Sequence, residues 1–157
     1  MGVHISEREN RSLSKRADTR VAKKKSARLH DQLRREVQEA REARTYLLSI
    51  APSVNALYRN VRGKGRVQTG IYRQWIKGNL GRLVSQRAKP CATPASITIT
   101  LPLSTRGDAD GKFKATADLL VRAGILPDDN PTYVRAHSIS YGDVDLMEVT
   151  VAPMVSA

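Results

Sequence analysis

Along residues 95–103, "ASITITLPL", apolar and hydroxyl side chains alternate: Ile97, Ile99, Leu101 and Leu103 fall on one face, Thr98 and Thr100 on the other. A period of two marks a strand with one buried face. Between residues 70 and 87 the period lengthens, because Ile71, Trp75, Ile76, Leu80, Leu83 and Val84 recur at helical spacing and predict an amphipathic helix despite Gly78 and Gly81. Trp75 lies on that apolar stripe, which assigns it to the core rather than to a base-stacking surface. Phe113, Ala117, Leu120 and Val121 predict a second helix, stopped by Gly124. "TYLLSI" at 45–50 reads as a short strand and "LPDDNP" as a turn. "TYVRAHSIS" and "VDLMEVTVA", separated around Gly142 and Asp143, read as a closing hairpin.

Ahead of these elements the pattern thins. Residues 1–16 are polar without a period and are expected to be disordered. From Ala17 to Arg44 the residues favour helix, with Leu29, Leu33, Val37 and Ala40 tracing a stripe too narrow to anchor a core. The expectation is therefore a basic N-terminal extension over 1–44, disordered then helical, and an α+β domain over 45–157. That domain would hold a mixed β-sheet, two packed helices and a C-terminal hairpin.

Charge divides the chain differently. The 157 residues carry a net charge of +12. Residues 1–44 hold 13 Lys/Arg and 7 Asp/Glu, residues 45–106 hold 10 and none, and residues 107–157 hold 4 and 8. A segment of 62 residues without an acid cannot neutralise itself locally and suits a polyanion such as nucleic acid; a solvated surface is the plainer reading of the same charges. Within it, "APSVNALYRNVRGKGRVQTG" is punctuated by Pro and Gly and carries Arg59, Arg62, Lys64 and Arg66. Gly63 and Gly65 lack the strand-to-helix frame of a nucleotide-binding loop, so backbone contact with DNA is the better assignment. The lone Cys91 forms no internal disulfide, no apolar run approaches the roughly 18 residues of a membrane span, and no apolar stretch near Met1 marks a signal peptide. A soluble protein of a reducing compartment is expected.

The acids gather just beyond the surest strand, in "RGDADGKFK". In an extended segment residues two apart point to one side, which would aim Asp108 and Asp110 at a single site. Two such carboxylates suit magnesium, a hard cation that takes one or two of them and completes its shell with water and phosphate oxygens. Lys114, one helical turn after Asp110, could face the same site and neutralise a phosphate. Asp128 and Asp129, past the second helix, are the nearest source of a further carboxylate. The alternative is that Asp108 and Asp110 merely favour a helix N-terminus and that Asp128 and Asp129 belong to an ordinary turn. His4, His30 and His137 have no spacing suited to zinc.

"PSVNALYRNVRGKGRV", a strand leading into "DADGKFKATADLLVRAGILPDDN", and the pair of strands after it together resemble the RusA-type Holliday junction resolvases. Those enzymes carry a PSxNxxYR-like segment and a DxDNxxK…L…AGxxxDD pattern. The resemblance spans residues 45–153. It implies a homodimeric, magnesium-dependent endodeoxyribonuclease that cuts four-way DNA junctions in recombination and repair, in the cytoplasm of a bacterial or phage-infected cell. Asp108, Asp110 and Asp129 match the family's metal-binding catalytic carboxylates, Lys114 its catalytic lysine, and Asp128 the adjoining acid. Asn55, Tyr58, Arg59, Arg62, Lys64, Arg66 and Arg73 are the expected DNA contacts. Gly111 stands where the family pattern has Asn, and Gly107 where a basic residue is common. A basic DNA-binding protein without catalysis, or a nuclease preferring forks or flaps, are the rival readings.

Overall fold

The computed structural model describes residues 7–154, with side chains from Lys23 onward. In chain order the elements are α1 (Glu7–Ala40), β1 (Arg44–Leu48), a 3-10 turn (Val54–Ala56), β2 (Tyr58–Val61), β3 (Gly65–Gln68), α2 (Gly70–Ser85), β4 (Ala95–Pro102), α3 (Asp110–Arg122), β5 (Val134–Gly142) and β6 (Met147–Pro153). Two compact units divide the chain, residues 1–39 and 40–157.

The first unit is helix from Glu7, within the stretch expected to be disordered; residues 1–6 lie outside the described residues. Neither Gly nor Pro interrupts Glu7–Ala40, and Arg, Lys, Glu, Leu and Ala are strong helix formers. The narrow apolar stripe is not covered where side chains are described: Leu29, Leu33 and Val37 are all more than half exposed.

The second unit is α+β with a mixed four-stranded sheet in the order β1-β6-β4-β5. β4 pairs antiparallel with β6 and parallel with β5, and β6 pairs antiparallel with β1. The alternation is borne out at Ile97, Ile99 and Leu101, which are fully buried with Ala95, but Leu103, expected on the same face, lies past the end of the strand at Pro102 and is exposed. Tyr46 and Leu48 of β1 and Met147, Val149 and Val151 of β6 join them in one core with Tyr72, Trp75, Ile76 and Leu83 of α2 and Ala115, Leu119 and Leu120 of α3. Each such Leu or Ile contributes roughly 1.5–3 kcal/mol by leaving water. Across the sheet's other face runs a row in register, Thr45, Thr150, Thr98 and Ser138, with hydroxyl contacts of 2.7 Å between Thr45 and Thr150 and 3.3 Å between Ser138 and Thr98.

The expected closing hairpin does not form. β5 and β6 are separated in the sheet by β4, because α3 carries the chain from β4 to a parallel edge position, as a parallel pair requires, and β6 then enters between β4 and β1. A hairpin lies elsewhere: β2 and β3 pair antiparallel across Arg62–Lys64, with the Lys64 N–H donating to Val61 O at 3.0 Å. Gly63 and Gly65 take φ of +75° and +68° there, backbone that favours glycine.

Side chains of α2 and of its C-cap, Gln86, bond the outer side of β1 at Leu47 and the chain just after it at Ser49. The Gln86 amide accepts from Leu47 N–H at 2.8 Å and donates to Leu47 O at 2.9 Å. Asn79, buried, accepts from Ser49 N–H at 2.9 Å and donates to Ser49 Oγ at 2.8 Å, while Trp75 Nε1 donates to Ser49 O at 3.1 Å. These bonds satisfy backbone groups that an edge strand leaves open. Among the described residues no helix is long and apolar enough to cross a membrane.

Candidate functional site

β4 ends at Pro102, and the chain turns through Gly107, whose φ of +88° explains glycine at a position where a side chain would be strained. α3 then begins. Asp108 and Asp110 share its N-terminus, but not as neighbours on an extended pleat: Ala109 already has helical backbone angles and Asp110 is the first helical residue. Asp108 Oδ1 accepts from Asp110 N–H at 3.1 Å, doing the capping that Ala109 cannot. Both acids are exposed, and Asp110 has no hydrogen-bond or ion-pair partner for its carboxylate among the described residues.

The residues after the acids dock the early motif onto this helix. Lys112 is buried and its Nζ donates to Ala51 O at 3.2 Å. A Cβ at Gly111 would lie 3.5 Å from both Val54 N and Asp108 Oδ2, ordinary contact distances, so the space for a side chain there is shallow but open. The 3-10 turn of "PSVNA" and the start of "DADGK" thus pack together, although 50 or more residues separate them in the sequence.

Lys114 does not turn back toward Asp110. Its Nζ donates to Asp118 Oδ1 and to Asp129 Oδ2, each at 2.8 Å. Asp129 therefore meets α3 at the lysine, not beside Asp108 as a further metal carboxylate. The bonds to Asp118, then Asp129, hold the Lys114 ammonium in its charged form above the usual lysine range. The same lysine holds the Asp129 carboxyl below the usual carboxylate range. Asp128 organises its own loop, Oδ1 accepting from Asp129 N–H and Oδ2 from Asn130 Nδ2, both at 2.7 Å. Among the described residues no three His, Cys, Asp or Glu are gathered as a metal site, so Asp108, Asp110 and Asp129 do not form one cluster of ligands.

Two residues here were not anticipated from sequence. Asp118 binds Lys114 and also accepts from the Tyr72 hydroxyl at 2.9 Å through Oδ2. Tyr72, fully buried in α2, is kept as a neutral phenol well above its ordinary range, first by burial and then by Asp118. The Lys114–Asp118 spacing of four was a readable helical pair; nothing in the sequence pointed to Tyr72.

The expected DNA contacts line the hairpin and its flanks. Asn55 is exposed on the 3-10 turn, Arg59 and Arg66 project from β2 and β3, and Arg62 and Lys64 occupy the tip. The Arg66 guanidinium lies 4.5 Å above the Tyr58 ring, which meets Tyr72 edge-on at 5.9 Å. Arg73 donates to Gln68 O at 3.2 Å and remains exposed. Elsewhere, Trp75 is in the core as expected, His137 stacks on Phe113 at 4.0 Å, His30 is exposed on α1, and His4 lies outside the described residues. Cys91 is a free, half-buried thiol that burial pushes up. A scan against protein-family models and a search of the curated proteins both return no match to this chain.

Proposed function

We propose that the chain is a magnesium-dependent, structure-selective endodeoxyribonuclease of the RusA type, acting as a homodimer on four-way DNA junctions. The observation that carries the reading is the docking of the "PSVNA" turn on the start of α3, which joins the helix turn bearing Asp108 and Asp110 to a chain segment of ten cations and no acid, with Lys114, bonded to Asp129, one turn further along the helix.

The donor set suits magnesium, because Asp108 and Asp110 offer hard oxygens with no cation bonded to either among the described residues, and one or two protein carboxylates are its usual complement. Asp108 and Asp110 would hold the ion, which when bound supplies a polarised phosphate and a more acidic water. Asp129, already bonded to Lys114, serves by holding the lysine. The Lys114 ammonium offsets charge on the phosphate, and Arg59, Arg62, Lys64, Arg66 and Arg73 neutralise the strands around it, with Asn55 and Tyr58 beside them. Two cuts in strands of like polarity need two such sites, which a two-fold dimer provides.

A non-catalytic DNA-binding protein is the second reading, favoured by the capping role of Asp108 and by the engagement of Asp129 with Lys114. A synthetic four-way junction, with fork and flap controls, separates the two. Cutting that requires magnesium and is lost in Asp108→Asn and Asp110→Asn, with binding retained, supports the endonuclease. Retardation without cutting, or normal cutting by both variants, would sink it.

A further inference from the structure

Lys114 carries three N–H donors on a flexible four-carbon stem, and left alone it would sample many directions. Two of the three are committed here, one to Asp118 Oδ1 and one to Asp129 Oδ2, both at 2.8 Å. With two bonds fixed, the direction of the third donor is set. The lysine side chain remains half exposed, which leaves room for one further partner at that donor.

The two carboxylates are not equivalent holders. Asp129 sits on a loop, whereas Asp118 is on α3 and its other oxygen accepts from the Tyr72 hydroxyl at 2.9 Å. Tyr72 itself cannot shift: it is fully buried, stacks on Trp75 at 6.3 Å and meets Tyr58 edge-on at 5.9 Å. Tyr58 in turn lies under Arg66 of the basic hairpin. A continuous path of contacts therefore joins the hairpin to the lysine.

We infer that Asp118 is a positioning residue for Lys114, locked in place by Tyr72, and that it aims the one uncommitted N–H of the lysine at a phosphate oxygen of the substrate. This rests on the endonuclease reading for its substrate, but not for the clamp itself. A simple surface ion pair would not need a buried tyrosine to orient its carboxylate, and the tyrosine hydroxyl is the feature that distinguishes the two. Asp118 acts through Lys114 and does not touch the reacting atoms.

The test uses the full chain, a synthetic four-way junction and single-turnover rates with magnesium, in Asp118→Asn, Tyr72→Phe, Lys114→Ala and the Asp118→Asn/Lys114→Ala pair. Asp118→Asn should slow cleavage roughly tenfold to a hundredfold, as misplacement of a group at a reacting centre does, with junction affinity unchanged. Tyr72→Phe should slow it in the same direction. In the Lys114→Ala background Asp118→Asn should cost nothing more, because residues that act as one unit are not additive. Additive losses, or a lower melting temperature with unchanged rate per folded molecule, would overturn the inference. Nitrogen-15 NMR of the Lys114 ammonium provides a readout independent of cutting: its slowly exchanging signal should be lost in Asp118→Asn and weakened in Tyr72→Phe, and a signal indifferent to both would overturn the clamp. Wild type that cuts no junction refutes the endonuclease reading instead, and the NMR result still decides whether Asp118 and Tyr72 hold the lysine.

Discussion

Lys112 Nζ donates to the carbonyl of Ala51 at 3.2 Å from a buried position, joining the first turn of α3 to the segment that precedes the 3-10 turn. An ammonium there bonds more strongly than a neutral donor, and its stem fills space between the two. Lys112→Ala should therefore destabilise the chain by about 2 kcal/mol in urea unfolding. Amide exchange should also speed up selectively over residues 51–57. Uniform exchange with an unchanged midpoint would show that the contact contributes nothing.

Acid and alkali should act on the lysine clamp from opposite sides. Asp129 has a lowered folded-state pKa, so its contribution is present above the ordinary carboxylate value near 4 and is lost as pH falls through the lower folded value. Lys114 and Tyr72 have raised values, so theirs are complete below about 10 and fade as pH rises through the folded values. Melting temperature should vary little across the interval between and fall at both ends. Tyr72→Phe should lessen the alkaline fall while leaving the acid limb in place. Half exposure of Lys114 keeps the acid limb shallow.

Gly142 closes β5 against Pro102 of β4, and a Cβ there would come within 2.8 Å of Thr100 Cγ2. Thr100 is β-branched and has little freedom to yield. Gly142→Ala should cost about 1–3 kcal/mol through overpacking. The double change with Thr100→Ser, which removes the opposing methyl, should recover most of that loss in the same unfolding measurement.

DNA binding by the hairpin should be strongly salt-dependent, each neutralised phosphate adding about −0.9 to the slope of log affinity against log salt on duplex DNA. Replacing Arg59, Arg62, Lys64 and Arg66 together by Gln should flatten that slope and weaken binding at low salt in a filter or fluorescence titration. Unchanged slope and affinity would place DNA elsewhere on the protein.

How far the sequence reaches can be seen by comparing β4 with β6. Both alternate, and both bury one face as the period says, because alternation reports which side of a strand meets the core. It does not report which strand lies alongside. The sequential neighbours β5 and β6 therefore read as a hairpin, although a helix crossover had already committed β5 to the parallel edge. The true hairpin, β2 with β3, has few apolar positions to alternate, and its signal lay in the two glycines of "RGKG". At the candidate site, Asp108, Asp110, Lys114 and Asp129 were legible as residue types at suggestive spacings. Their partners were not: Asp108 takes a backbone N–H and Lys114 turns toward Asp118, outcomes decided by side-chain direction along a helix and by a tyrosine from another element.

The glutamine amide at Leu47 gives the sheet a polarity of growth. At β1 the outward N–H and C=O of Leu47 are already bonded by the side chain of Gln86, the C-cap of α2. At the far end β5 has a strand on one side only, and most of its length lies exposed. The more open of the two edges is therefore β5. That strand begins a few residues after Asp129, so the sheet's open edge and the loop that grips Lys114 belong to one stretch of chain.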